Sequence, residues 1–383
     1  MNALPPSSSK SLSKERQILV SGIRSNQWFE RVYDRANIPA EAEKLYELTG
    51  AYLGWFIPVV SGNLTAHSDF GNYHTSQAGI DSFFAARDVP VVVSAGVNGI
   101  QVWDVKRGSV QDVLSLKILP STQQEGNIAA ISPNGNILAV ASDYAVYAMD
   151  LKSRKLLWSA GSLEHEGRYN KHLVIGGDKG QFLFAAGAHT LERWDLVTGQ
   201  KLAVLASNQP TIKLLTTSRD GRVLLAGFND DSGLGSSAAS FAVWEADKDE
   251  PARHFVEPAI SGSGISADGR LIALSTFGRR DLVLYDWRAE RRQEVPLRVP
   301  YAAGSAYSMF WSPDGKRLAA YVDTYPASIV VYETTTWKPL AQWRCGEIMA
   351  HSEFGFDNSG TLLHLRDHDL SRLDVATLRS VGD

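Results

Sequence analysis

Residues Trp311–Ala319 read W-S-P-D-G-K-R-L-A. Pro313 presets φ for the first central position of a turn, and Gly315 supplies a positive φ without steric cost. Apolar residues lie on both sides, so the stretch is a strand, a tight turn and a second strand. The same punctuation recurs at Ser132-Pro133-Asn134-Gly135, Gly177-Asp178-Lys179-Gly180, Ser218-Arg219-Asp220-Gly221, Ser266-Ala267-Asp268-Gly269 and Phe356-Asp357-Asn358-Ser359-Gly360. A hairpin that repeats along a chain means a repeat architecture.

Each hairpin leads into a third strand that ends in a large residue and then an acid: Trp103-Asp104, Met149-Asp150, Trp194-Asp195, Trp244-Glu245, Tyr285-Asp286, Tyr332-Glu333 and, without the aromatic, Leu373-Asp374. The acids stand 41 to 50 residues apart. A four-stranded propeller blade takes about 40–45 residues. Val91-Val92-Val93, Ile137–Val140, Leu224–Ala226 and Leu271–Leu274 are unbroken apolar runs, which suits strands covered on both faces. A β-sandwich also has many short strands, but it does not produce seven units of near-constant length. The expectation is an all-β chain, a seven-bladed β-propeller over residues 80–383 behind a small helical N-terminal extension.

From about Ile80 to Val381 the chain resembles the WD40 and WD-like propeller repeats, TolB-type repeats included. Trp103-Asp104 and Trp194-Asp195 are WD dipeptides, and Trp311–Ala319 is similar to the strand-turn-strand of these families. No Gly-His dipeptide occurs, so the His-to-Asp network that the resemblance implies across each blade is missing or replaced. Many relatives close the ring with an N-terminal strand, and Gln17-Ile18-Leu19-Val20 is the candidate for that role. The last unit could also complete itself with Leu378–Val381.

The 383 residues carry 38 basic and 42 acidic side chains, a net charge of −4. Nucleic-acid binders carry a basic excess, so none is expected as partner. The single cysteine, Cys345, excludes an intrachain disulfide and suits a reducing compartment. Met1–Lys10 has no apolar core for a secretory signal. The apolar run Ala51–Val60 falls short of the ~20 residues a membrane span needs. These features predict a cytoplasmic, monomeric protein with no membrane contact. Residues 1–24 read as a disordered tail or closing strand. Residues 25–36 and 39–53, within an extension spanning 25–79, show helical spacing: Trp28, Val32 and Ala36, then Ala42, Leu45, Tyr46, Thr49, Tyr52 and Leu53. Those faces cap the propeller or dock a partner.

No G-x-S-x-G elbow, P-loop or H-E-x-x-H helix is present, and Gly262-Ser263-Gly264 lacks the third glycine of a dinucleotide fingerprint. Asp367-His368-Asp369 and Glu164-His165-Glu166 read as charged surface connections rather than metal or acid–base sites. The chain is therefore expected to be no enzyme, with no catalytic residue, cofactor or metal.

Connections between second and third strands share a rim with the crossovers. In unit four that connection is lengthened, reading N-D-D-S-G-L-G-S-S-A-A-S over residues 229–240. Across units four to seven this rim gathers Asp230, Asp231, Arg279, Arg280, Tyr301, Tyr307, Asp323, Tyr325, Arg366 and His368. Arg and Tyr are common interface anchors, and loops on a rigid scaffold are where binding evolves. The expected function is a non-catalytic scaffold that binds another protein through this rim. An inhibitor or immunity protein blocking a toxin or enzyme, and a lactonase-like propeller hydrolase, are the alternatives.

Overall fold

A computed structural model of the protein describes residues 80–373 apart from 97–98, 106–108, 115–127, 142–144, 162–171, 188, 208–210, 230–238, 258–259, 277–280, 297–301, 325–326, 347–351 and 367–368. The tail, the two expected helices, Gln17–Val20 and Leu378–Val381 lie outside the described residues. The described residues all belong to one compact unit, Ile80–Gly346 with Ser352–Asp383.

Every described element is a strand. The strands are β1 (Ile80–Ala85), β2 (Val91–Gly96), β3 (Gly99–Asp104), β4 (Ser109–Leu114), β5 (Ile128–Ile131), β6 (Ile137–Ala141), β7 (Ala145–Asp150), β8 (Lys155–Gly161), β9 (His172–Gly176), β10 (Phe182–Ala186), β11 (Leu191–Asp195) and β12 (Lys201–Ala206). They continue with β13 (Thr211–Thr217), β14 (Val223–Asn229), β15 (Ala239–Glu245), β16 (Arg253–Glu257), β17 (Ile260–Ile265), β18 (Leu271–Thr276), β19 (Asp281–Asp286) and β20 (Arg291–Pro296). The last are β21 (Ala302–Trp311), β22 (Arg317–Thr324), β23 (Ala327–Glu333), β24 (Pro339–Gly346), β25 (Ser352–Phe356), β26 (Leu362–Arg366) and β27 (Asp369–Leu373).

The turn chemistry accounts for the repeat. In S-x-D-G turns the serine hydroxyl donates to the acid and accepts the backbone N–H five residues on. Ser312 Oγ donates to Asp314 Oδ1 at 2.6 Å and accepts from Arg317 N at 2.9 Å. Asp314 Oδ1 also accepts from Lys316 N at 3.1 Å. Ser218 with Asp220 and Ser266 with Asp268 repeat the arrangement, and Ser132 does so with Asn134. The acid that ends a third strand caps the next turn. Asp195 Oδ1 accepts from Val197 N, Thr198 N and Thr198 Oγ1 at 2.7–3.0 Å, and Gly199 comes next at φ +71°. Asp150, Asp286 and Glu333 likewise accept from the turn that follows them, so these acids are local turn caps.

The strands form antiparallel meanders, but the sheets correct the expected count of seven separate four-stranded blades. Among the described residues there are five sheets of four or more strands and one of three, β25-β26-β27. One of the five has eight strands, because β17 and β21 pair in parallel at Ser263 and Ser308 and join two meanders. The physical reason lies in Gly264: a Cβ there would lie 2.7 Å from the Met309 carbonyl oxygen. Only glycine lets the two backbones come so close.

The first strands touch in the cyclic order β1, β5, β9, β13, β17, β21, β25 and back to β1, so they surround a central channel. Apolar clusters fill the gaps between neighbouring meanders. Leu138, Val140 and Tyr147 pack on Val93 and Ile100. Phe184 and Leu191 pack on Leu224, Phe228 and Trp244, and Leu282 and Leu284 on Ala320, Val322 and Val330. The first and last meanders meet through Val92, Trp103, Val105 and Leu363, and Arg372 donates to the Val105 carbonyl across the same seam.

Candidate functional site

In each meander the turns after the first and third strands lie at one end of the sheet. The connections after the second strand and the crossovers lie at the other. The first-strand ends and first turns therefore form one mouth of the channel. A cavity of about 200 Å3 sits there, and all the first strands contribute to its wall. Phe84, Ile131, Ile265, Phe310 and Phe356 give the wall apolar surface.

Two arginines cross this mouth. Arg87 comes just after β1, and its side chain is about one-quarter exposed. Its Nε pairs with Asp88 Oδ1 at 2.9 Å. Its Nη1 donates to the Asp220 carbonyl and its Nη2 to the Asp178 carbonyl, both at 3.1 Å. Arg219 answers from the turn between β13 and β14. Its Nη2 donates to the carbonyls of Arg87 at 3.2 Å and Asp357 at 3.4 Å. The first meander is thus tied to the third and fourth, and the fourth to the first and last. Turn-to-turn backbone bonds add to the lacing: Asp88 N to Pro133 O at 2.9 Å, Gly177 N to Gly221 O at 2.6 Å and Asp220 N to Ala267 O at 3.2 Å.

The two cations differ in compensation. Arg87 has a carboxylate partner. Arg219 has two neutral carbonyls, and burial pulls its guanidinium below the ordinary value; Asp357 and Asp88 oppose that shift, while Arg87 adds to it. The Asp357 carboxylate caps its own turn, accepting from Ser359 N, Ser359 Oγ and Thr361 N at 2.7–2.9 Å. Trp311 borders the same cavity, is 8% exposed, and its indole N–H has no acceptor.

The rim expected from sequence is a different place. Asp230, Asp231, Arg279, Arg280, Tyr301, Tyr325 and His368 lie outside the described residues. The backbones of Tyr307, Asp323 and Arg366 lie in β21, β22 and β26. Asp323 and Arg366 stand at strand ends beside the connections to third strands, at the sheet ends away from the arginine-crossed mouth. The 164–166 cluster also lies outside the described residues, as does His368 of the Asp367–Asp369 cluster. Sequence reading passed over Arg87 and Arg219. The signal was present in the aligned turns: the residue after the turn's first position is Arg87, Pro133, Asp178, Arg219, Ala267, Pro313 and Asn358.

A closed ring of antiparallel meanders around a channel defines a β-propeller repeat protein. No protein-family model matches the chain. SEC12-like protein 2 of Arabidopsis thaliana is 23% identical over 221 residues, covering 56% of this chain. The match takes in 53% of that protein, so the chain spans about half the length of this curated relative. Among solved structures, Kuenenia stuttgartiensis hydrazine synthase superposes with a TM-score of 0.62 at 12% identity, over 83% of this chain and all of the matched chain. That likeness concerns the fold alone.

Proposed function

We propose that the protein is a WD40-like scaffold that binds another protein, without catalysis, through the rim opposite the arginine-crossed mouth, and that it does so in the cytoplasm. One observation carries this reading. The recurring polar residues are occupied in holding the scaffold: serines and acids cap turns, and the paired arginines lace one mouth. The strand ends that flank the variable connections, Asn229 and Ala239 around the lengthened one among them, lie at the other end of the sheets. A rigid ring with variable loops on one face suits partner recognition. Asp230, Asp231, Arg279, Arg280, Tyr301, Tyr307, Asp323, Tyr325, Arg366 and His368 are the proposed contacts.

The test is affinity for whichever protein the purified chain retains. Alanine at Arg279, Arg280, Tyr301 and Tyr325 together is expected to weaken it at least tenfold, with the melting temperature unchanged. Unchanged affinity rejects the rim. A stoichiometric metal in the purified protein, or turnover of a lactone, replaces the scaffold reading with an enzyme.

A further inference from the structure

We propose that the channel cavity is a binding site for a small organic monocarboxylate, gripped by the Arg219 guanidinium. This inference does not rest on the scaffold reading, which concerns the other end of the sheets.

Arg219 engages acceptors only through Nη2. Its Nε–H and both Nη1 hydrogens, three of the five donors of a guanidinium, meet no acceptor among the described residues. Carbonyls hold the group in place without neutralising it, and a part-buried cation without an ion pair is costly. An anion in the cavity removes that cost through charge-assisted hydrogen bonds.

The surroundings choose the kind of anion. Asp88 already pairs with Arg87, and the Asp357 carboxylate lies nearby, bonded to its own turn. With Arg87 paired to Asp88 and the Asp357 carboxylate beside Arg219, the mouth holds two positive and two negative charges; a monoanion on the free Arg219 donors adds one negative charge there and a dianion such as phosphate two, so the site favours the monoanion. Phe84, Ile131, Phe310 and Phe356 offer apolar surface to the rest of the ligand. At about 200 Å3 the cavity is smaller than the roughly 300–1,000 Å3 of drug-sized sites. The ligand is therefore a compact acid of about the size of benzoate.

The test is calorimetric titration of the full chain with sodium benzoate at fixed ionic strength, followed in parallel by tryptophan fluorescence. Wild type is expected to bind saturably, and neutral benzamide at least tenfold more weakly. Arg219→Gln is expected to lose about tenfold to a hundredfold, the range for hydrogen bonds to a charged group. Ala267→Phe, which fills the cavity and keeps Arg219, is expected to lose binding as well; it carries the test if Arg219→Gln does not fold. Absence of saturable binding to wild type, or equal affinity in folded Arg219→Gln, overturns the site. Tighter binding of inorganic phosphate overturns the monocarboxylate. A pentapeptide with a free C-terminal carboxylate that outcompetes benzoate overturns the small-acid source and assigns the contact to a chain end.

Discussion

Two glycines with the same backbone conformation separate turn strain from inter-meander fit. Gly315 has φ +70° and Gly221 has φ +75°, and each ends an S-x-D-G turn. A Cβ on Gly315 would meet nothing within 4 Å. A Cβ on Gly221 would run into the backbone of Gly177, its carbonyl oxygen first. Alanine in the left-handed region costs about 1–2 kcal/mol, offset by about 0.4–1 kcal/mol from a stiffer unfolded chain. Gly315→Ala should thus cost about 0.5–1 kcal/mol. Gly221→Ala adds a backbone clash of about 1–3 kcal/mol. It also disturbs the 2.6 Å bond from Gly177 N to Gly221 O, worth about 1 kcal/mol. Its cost should be about 3–4 kcal/mol. In a protein of this size 1 kcal/mol moves the midpoint by about 2 °C. Parallel thermal melts should show a loss of about 1–2 °C for Gly315→Ala and at least 5 °C for Gly221→Ala. Equal losses would mean that the fourth turn does not press on the third, and that the mouth is not laced by its turns.

Three further outcomes are expected. Arg154 and Trp337 take the place of Gly199 in their turns at φ +57° and +56°. Arg154→Gly should be neutral or stabilising by up to about 1 kcal/mol, whereas Trp337→Gly should destabilise, because its ring packs edge-on to Trp311 at 5.8 Å; chemical denaturation compares them. The backbone N–H of Thr198 holds Asp195 below its ordinary 3.8, and the Ser312 hydroxyl does the same for Asp314. Stability from such lowered acids is fully present above pH ~4, the unfolded value, and is lost as pH falls through the lower folded values. Asp195→Asn with Asp314→Asn should therefore flatten the fall in melting temperature below pH 4, and an unchanged slope would count against the caps. Leu363→Ala, at the fully buried seam between last and first meanders, should cost about 2–5 kcal/mol, measured by urea unfolding.

What was legible in the sequence was local. Each S-x-D-G turn brings its own cap and its own positive-φ residue, so a nine-residue window already specifies strand, turn and strand. The acids at third-strand ends were legible as markers of period, though not as caps of the next turns. What was not legible lies between repeats. Gly264 sits in a small-residue strand, I-S-G-S-G-I, and nothing near it reveals that Met309 in β21, more than forty residues on, comes within reach of its missing Cβ. The fusion of two meanders into one eight-stranded sheet results from that approach.

The arginine-crossed mouth shows how a repeat acquires a singular feature. The position after the turn's first residue lines the channel mouth at Arg87, Pro133, Arg219 and Ala267, and along the repeat most occupants are small, rigid or neutral. Cations occur there only in the first and fourth turns, so each guanidinium reaches across the channel to carbonyls the other meanders leave exposed. Carbonyl acceptors do not depend on side-chain identity, so this lacing needs two substitutions and no matching change elsewhere. Charge balance is another matter. Asp88 comes directly after Arg87 in the chain and pairs with it, whereas the acid one residue after Arg219, Asp220, is bonded to Ser218 and Arg222 N within its own turn. The turn chemistry that builds the repeat thus leaves Arg219 without an acid of its own, and that is why the open charge falls at this place in the ring.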